Sequence, residues 1–144
     1  MRPKGFTLIE LLLILAIFGI FIAIVVVFGR SAIIKSRNSN IALNVAEIKK
    51  VAQRIYLESP NGFEDLCAEG NSLNLVNPDL ATLQRDIEDL GGSIRQCKAS
   101  KASYCITANL VGERGFLCID DEGKFSFLLP PDPEPCINDT ATCP

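Results

Sequence analysis

The polarity pattern changes twice along the chain. Leu11 to Gly29 is 19 consecutive residues without a charge or strongly polar group. Phe6 to Gly29 is 24 residues interrupted only by Thr7 and Glu10. At about 1.5 Å per residue the longer run makes roughly 36 Å of helix, enough to cross a hydrocarbon layer of about 30 Å. The run therefore predicts a membrane-spanning helix. A secretory signal peptide is the competing reading. Its apolar core should be about 7–15 residues long and end at a small-x-small cleavage site. Here the core is longer, and only Gly29-Arg30-Ser31 follows it. Beyond Gly29 the pattern becomes one-sided. Ile34, Ile41, Val45, Ile48, Ala52 and Ile55 are spaced 7, 4, 3, 4 and 3, one apolar stripe of a helix. Lys35, Arg37, Glu47, Lys49, Lys50 and Arg54 fall off the stripe. Ser59-Pro60-Asn61-Gly62 stops it. One helix from Phe6 to about Glu58 would span roughly 80 Å.

Residues 59–102 read as a connecting region with one short helix. Asn77 can cap it, Pro78 fits the first helical position, and Leu80, Leu83, Ile87 and Leu90 recur at 3, 4 and 3. Gly91-Gly92 ends it. Residues 103–129 read as a three-stranded antiparallel sheet. Tyr104, Ile106, Ala108 and Leu110 alternate with other residues, as do Leu117 and Ile119, then Phe125, Phe127 and Leu129. Asp121-Glu122-Gly123 predicts a turn. A two-residue Val111-Gly112 loop would set Leu110 opposite Glu113, Ile106 opposite Leu117, Tyr104 opposite Ile119 and Cys105 opposite Cys118. The expected fold is α+β, a long N-terminal helix packed on a small disulfide-stabilised antiparallel head. Residues 130–144 form a Pro-rich tail, with Pro130-Pro131-Asp132-Pro133-Glu134-Pro135 a stiff spacer.

Charge and composition narrow the chemistry. Lys plus Arg is 14 and Asp plus Glu is 17, a net of −3. That balance argues against nucleic acid as a partner, leaving Arg95, Lys98 and Lys101 as a local basic patch. The absence of His removes His-based acid–base catalysis, His-activated nucleophiles and His metal sites. No residue set forms a credible active site, and no cofactor is expected. Six cysteines, at 67, 97, 105, 118, 136 and 143, all follow the apolar run. Disulfides persist outside the reducing cytosol, which sets the C-terminal part outside and the N-terminus inside. Flanking charge does not decide orientation, since Arg2 and Lys4 precede the run and Arg30, Lys35 and Arg37 follow it. Zinc is disfavoured by the lack of any C-x-x-C pair. Asp120, Asp121, Asp132 and Asp139 are an alternative calcium set, at spacings that match no EF-hand loop. Glu10 is the anomaly of the apolar run. A carboxylate there is costly and calls either for a partner or for solvation at the headgroup level.

Gly5-Phe6-Thr7-Leu8-Ile9-Glu10, behind a short basic leader and ahead of the long apolar helix, resembles a type IV prepilin N-terminus. That family comprises type IV pilins, type II secretion pseudopilins and competence pilins. The close resemblance covers roughly residues 1–58 and implies the following. Prepilin peptidase cuts between Gly5 and Phe6 and methylates the new Phe6 amine. Loss of the leader, residues 1–5, leaves 12 basic and 17 acidic residues, a net of −5. Residues 6–29 serve as membrane anchor and then as filament core, and residues 30–58 pack under the head. Glu10 pairs with the Phe6 amine of a neighbouring subunit, a cation at neutral pH. The subunit sits in the inner membrane, head outside the cytoplasm, before an assembly platform and an ATPase-driven machine extract it. The product is a homo-oligomeric helical filament, an extracellular pilus or a periplasmic pseudopilus. A minor tip, adhesion or DNA-uptake pilin and a secretion pseudopilin are the alternative roles. The chain departs from many members in carrying Val27 where they have a helix-breaking Pro, so any melting of the helix in a fibre is expected near Gly19. Six cysteines allow 15 connectivities. The register favours Cys105–Cys118. Cys136–Cys143 follows as a small loop, like the disulfide-bounded terminal loop of pilins, and Cys67–Cys97 is the remainder.

Overall fold

A computed structural model describes residues 7–112, 115–129, 135–136 and 142–143. Helix α1 runs unbroken from Leu8 to Glu58, straight through Gly19 and Gly29. The chain divides into two compact units between Lys35 and Ser36, and α1 contributes to both. In the first unit the side chains of residues 8–26 are all exposed. Leu8, Ile9, Phe18, Phe21, Val25 and Phe28 each expose more than three-fifths of their surface. A helix apolar all round needs lipid or other helices to cover it. Among the described residues this is the one helix long and apolar enough to cross a membrane.

The second unit is the head. Its core is built on the predicted stripe, with Ile41, Val45, Ile48 and Ala52 fully buried and Ile55 nearly so. Ile34 is only half-buried and stands outside this core. Against the stripe pack Leu66, Leu73, Leu80 and Ile87, then Tyr104, Ile106, Ala108, Leu117 and Ile119. Each fully buried Leu or Ile contributes about 1.5–3 kcal/mol relative to exposure. After α1 the chain makes a 3₁₀ turn, Gly62–Leu66, and a two-stranded ribbon of β1, Cys67–Ala68, and β2, Ser72–Leu73. Helix α2, Pro78–Asp89, starts where the caps predict. The Asn77 side chain accepts from the N–H groups of Asp79 and Leu80, with Pro78 at the first position. It ends in a Schellman motif. Gly91 donates to Glu88 O at 2.8 Å, Gly92 to Ile87 O at 2.9 Å, and the φ of 90° at Gly91 is one that favours glycine.

The sheet has four antiparallel strands in the order β3-β4-β5-β6: Ser93–Ala99, Tyr104–Asn109, Phe116–Asp120 and Phe125–Leu128. Strand β3 lies in what the sequence suggests is connecting chain. Its one bulge, between Ile94 and Gln96, and its polar Arg95, Gln96 and Lys98 break the apolar alternation that marks a strand. The β4–β5 register also differs from the expected one. Cys105 faces Asp120, Ile106 faces Ile119 and Ala108 faces Leu117, two residues away from the pairs a Val111-Gly112 hairpin would set. A shift of two preserves every residue's face, so the apolar side still meets α1. The expected Leu110–Glu113 pair falls partly outside the described residues, which omit 113 and 114.

Two contacts make the β4–β5 connection longer than a tight hairpin. Val111 N–H donates to Asn38 Oδ1 at 2.9 Å, and Asn38 Nδ2 donates to Val111 O at 3.2 Å. The amide of a nearly buried α1 residue thus pairs with both backbone groups of one residue, as a neighbouring strand would. Gly115 is pressed against Phe127, where a Cβ would meet the ring at 2.4 Å. Asn38→Leu is expected to leave both Val111 groups without this partner and to cost about 1–3 kcal/mol. The check is the denaturant midpoint of the full chain in detergent.

Candidate assembly site and tail anchor

At the start of α1, Thr7 is the N-cap and Glu10 the third helical residue. The Thr7 N–H and Oγ1 both donate to Glu10 Oε2 at 3.0 Å. In return Glu10 N–H reaches Thr7 Oγ1 at 3.4 Å. This is a reciprocal capping box, which satisfies donors that an α-helix leaves free at its start. Glu10 therefore has a partner inside its own chain, one that the sequence reading did not supply. Its signature, Thr followed three residues later by Glu ahead of an apolar run, is legible in the sequence. One oxygen, Oε1, is left out of the box. The cleavage pair Gly5-Phe6 lies outside the described residues.

The cysteines sort by face of the sheet. Cys97 sits opposite Ile106 on the α1 side and joins Cys67. Cys105 and Cys118 point away from α1, and Cys105 joins Cys136 while Cys118 joins Cys143. The expected Cys105–Cys118 and Cys136–Cys143 bonds are thus replaced by two that tie the tail to the sheet. The physical reason is the register. Cys105 and Cys118 are diagonal rather than directly opposed, with their sulfurs 3.7 Å apart. Each then reaches a tail cysteine across the outer face, together with Phe116 and Leu128.

Asp120 completes this anchor. It is fully buried, and its oxygens accept from Lys124 N–H at 2.8 Å and Cys143 N–H at 2.9 Å. Lys124 Nζ donates to Cys143 O at 3.1 Å. Asp120 was a candidate calcium ligand, but both its oxygens serve backbone donors. Asp121 accepts from Tyr104 N–H at 3.4 Å. Asp132 and Asp139 lie outside the described residues, as do most of residues 130–144. Among the described residues the one cluster of metal-ligand type is Cys105, Cys118 and Cys136, whose sulfurs are bound in disulfides. Of the basic patch, Arg95 lies over the Phe116 ring at 4.9 Å, and Lys98 shares the outer face opposite Cys105.

Tyr104 is the buried titratable group of the core, 1% exposed and edge-on to Phe63 at 4.9 Å. Its hydroxyl has no hydrogen-bond partner among the described residues. Burial, then the charges of Asp121 and Asp120, push its phenol above the ordinary tyrosine range. The folded pKa exceeds the unfolded one, so the neutral phenol's contribution is whole below about pH 10 and falls as pH rises beyond it. The loss should approach about 1.4 kcal/mol per pH unit. Tyr104→Phe is expected to flatten that slope in denaturation midpoints taken from pH 8 to 11. It should cost little at pH 7, since the lost hydroxyl leaves no partner behind.

Residues 1–26 match the model of the prokaryotic N-terminal methylation motif, the class III signal of type IV pilins and pseudopilins. No curated protein and no solved structure matches the chain. The chain thus carries a prepilin signal on an α+β molecule with one long apolar helix and three disulfides. The motif supports a subunit of the pilin or pseudopilin type, processed by prepilin peptidase and anchored in a membrane before assembly. Proteins of that type are structural and not an enzyme family.

Proposed function

We propose that this chain is a structural subunit of a type IV pilus-like filament. Prepilin peptidase hydrolyses the Gly5–Phe6 bond and methylates the Phe6 amine. The subunit waits in the inner membrane, head outside the cytoplasm, until an assembly platform and its ATPase extract it. Residues 6–29 then exchange lipid for neighbouring helices, and the disulfide-tied head covers the surface. The observation that carries this reading is the match of residues 1–26 to the methylation motif, together with the exposure of every apolar side chain from Leu8 to Val26.

Glu10 sets the register. In a core of apolar helices, the Phe6 amine of a neighbour is the cation that matches its charge. A misregistered subunit would leave the carboxylate buried without that partner, and this is strongly unfavourable. The capping box orients the carboxylate while leaving Oε1 to accept from the amine. Intact mass and N-terminal sequencing of protein from its native membrane test the reading. A chain beginning at N-methyl-Phe6 is the expected result. A chain that retains Met1 beside active prepilin peptidase would reduce it to a plain anchored domain. A start after Ser31 would remove the helix and the filament with it.

A further inference from the structure

The last turn of α2 runs against helix electrostatics. Asp86, Glu88 and Asp89 crowd the end where the macrodipole is already negative, and no basic residue accompanies them in that turn. Glu88 receives a hydrogen bond from Gln84, but the Asp86 and Asp89 carboxylates have no ion-pair partner among the described residues. These two aspartates rim a groove of about 390 Å³ between α1 and α2. Its apolar lining is Leu43, 62% exposed, and the half-buried Leu90. An exposed acidic helix end beside the exposed Leu43 is a surface that a cationic partner with an apolar contact complements.

The same chain presents the complement. Arg30, Ile33 and Arg37 are spaced 3 and 4 on α1, which sets them on one helical face. All three are exposed, and neither arginine has an ion-pair partner among the described residues. The face is an apolar side chain between two guanidiniums. The groove sets Leu43 and Leu90 beside Asn40 and Asn44, with both carboxylates along its α2 side. We infer that the α1–α2 groove of one copy receives the Arg30–Ile33–Arg37 face of a second copy, Ile33 on Leu43 and Leu90, the arginines toward Asp86 and Asp89. This rests on the filament reading and names one of its lateral contacts.

Charge reversal in the full chain, in a host that assembles it, is the test. Asp86→Lys with Asp89→Lys is expected to lower filament number at least tenfold. Arg30→Glu with Arg37→Glu should do the same, and the four changes together should restore filaments. Lysines at that end of α2 favour the helix dipole, so the melting temperature of the first variant in detergent should not fall. A negative charge on the outer flank does not oppose insertion, so membrane levels of the second should match wild type. Wild-type filament numbers in either double variant, or no recovery in the quadruple one, overturn the contact and leave the filament reading standing. A wild-type chain that forms no filaments in that host overturns both.

Discussion

Glu10→Val is expected to leave membrane insertion intact and to lower filament number at least tenfold. Insertion should persist because the substitution removes the one charge within the apolar run, and a charge near a membrane helix is at best neutral for partitioning. Assembly should fail because the Phe6 amine of a neighbour would be buried without its anion. Loss of one partner from a buried ion pair costs about 3–5 kcal/mol, and about 1.4 kcal/mol is already tenfold in an equilibrium. The capping box supplies an internal control. Thr7→Ala removes one of the two donors to Oε2 and the cap itself, at about 0.5–2 kcal/mol of helix stability. It keeps the carboxylate, so it should reduce filaments far less than Glu10→Val. Quantitative electron microscopy of sheared filaments, against immunoblots of the membrane fraction, separates the two effects. Equal losses from both variants would make Glu10 a cap and nothing more.

The second large effect belongs to the outer-face disulfides. Cys118→Ser with Cys143→Ser opens a loop whose ends are 25 residues apart, worth about 3.5 kcal/mol by the loop-closure argument. It also loosens the Cys143 N–H that one oxygen of buried Asp120 accepts. The pair should therefore cost more than Cys67→Ser with Cys97→Ser, although that bond spans a longer stretch of 30 residues. Denaturant midpoints of the full chain in detergent give the comparison. Mass mapping of non-reduced peptides checks the connectivity directly. Recovery of a Cys105–Cys118 peptide would mean the tail is stapled to itself and not to the sheet.

The sequence is most informative where a period or a cap acts locally. The α1 stripe from Ile41 to Ile55, the Asn77-Pro78 start of α2, the Gly91-Gly92 stop and the Asp121–Gly123 turn all follow from such signals, and each stands in the structure. Strand faces are legible too, because a period of two survives any even slip. Register is not, since the same alternation fits pairs two residues apart. What decides it is Asn38 gripping Val111, a contact between residues 73 apart in the chain. No local pattern announces such a contact. The disulfide pairing inherits that uncertainty. Cys105 and Cys118 are near enough in either register to invite a bond, and only the tail's path across the sheet assigns them elsewhere. The third strand-like miss, β3, has a related cause. Its outward residues are polar and its bulge interrupts the alternation, so tertiary pairing and not propensity makes it a strand. Of the candidate assembly site, the motif and Glu10 are plain in the sequence, while the capping box needed the same six residues read for helix ends.

The placement of the three disulfides also has a mechanical meaning. In the filament proposed above, tension would pull a subunit by its helix while neighbours hold its head. A head that unravels from the α1 side pays out chain freely only until Cys67, where the first covalent ring closes. From Ser36 to Cys67 that slack is roughly 110 Å at full extension. Beyond it, the crosslinks spanning Cys67 to Cys97 and Cys105 to Cys143 hold most of the remaining length in reserve. A stretched subunit would yield by a bounded step and then stiffen, with its sheet still strapped to its tail.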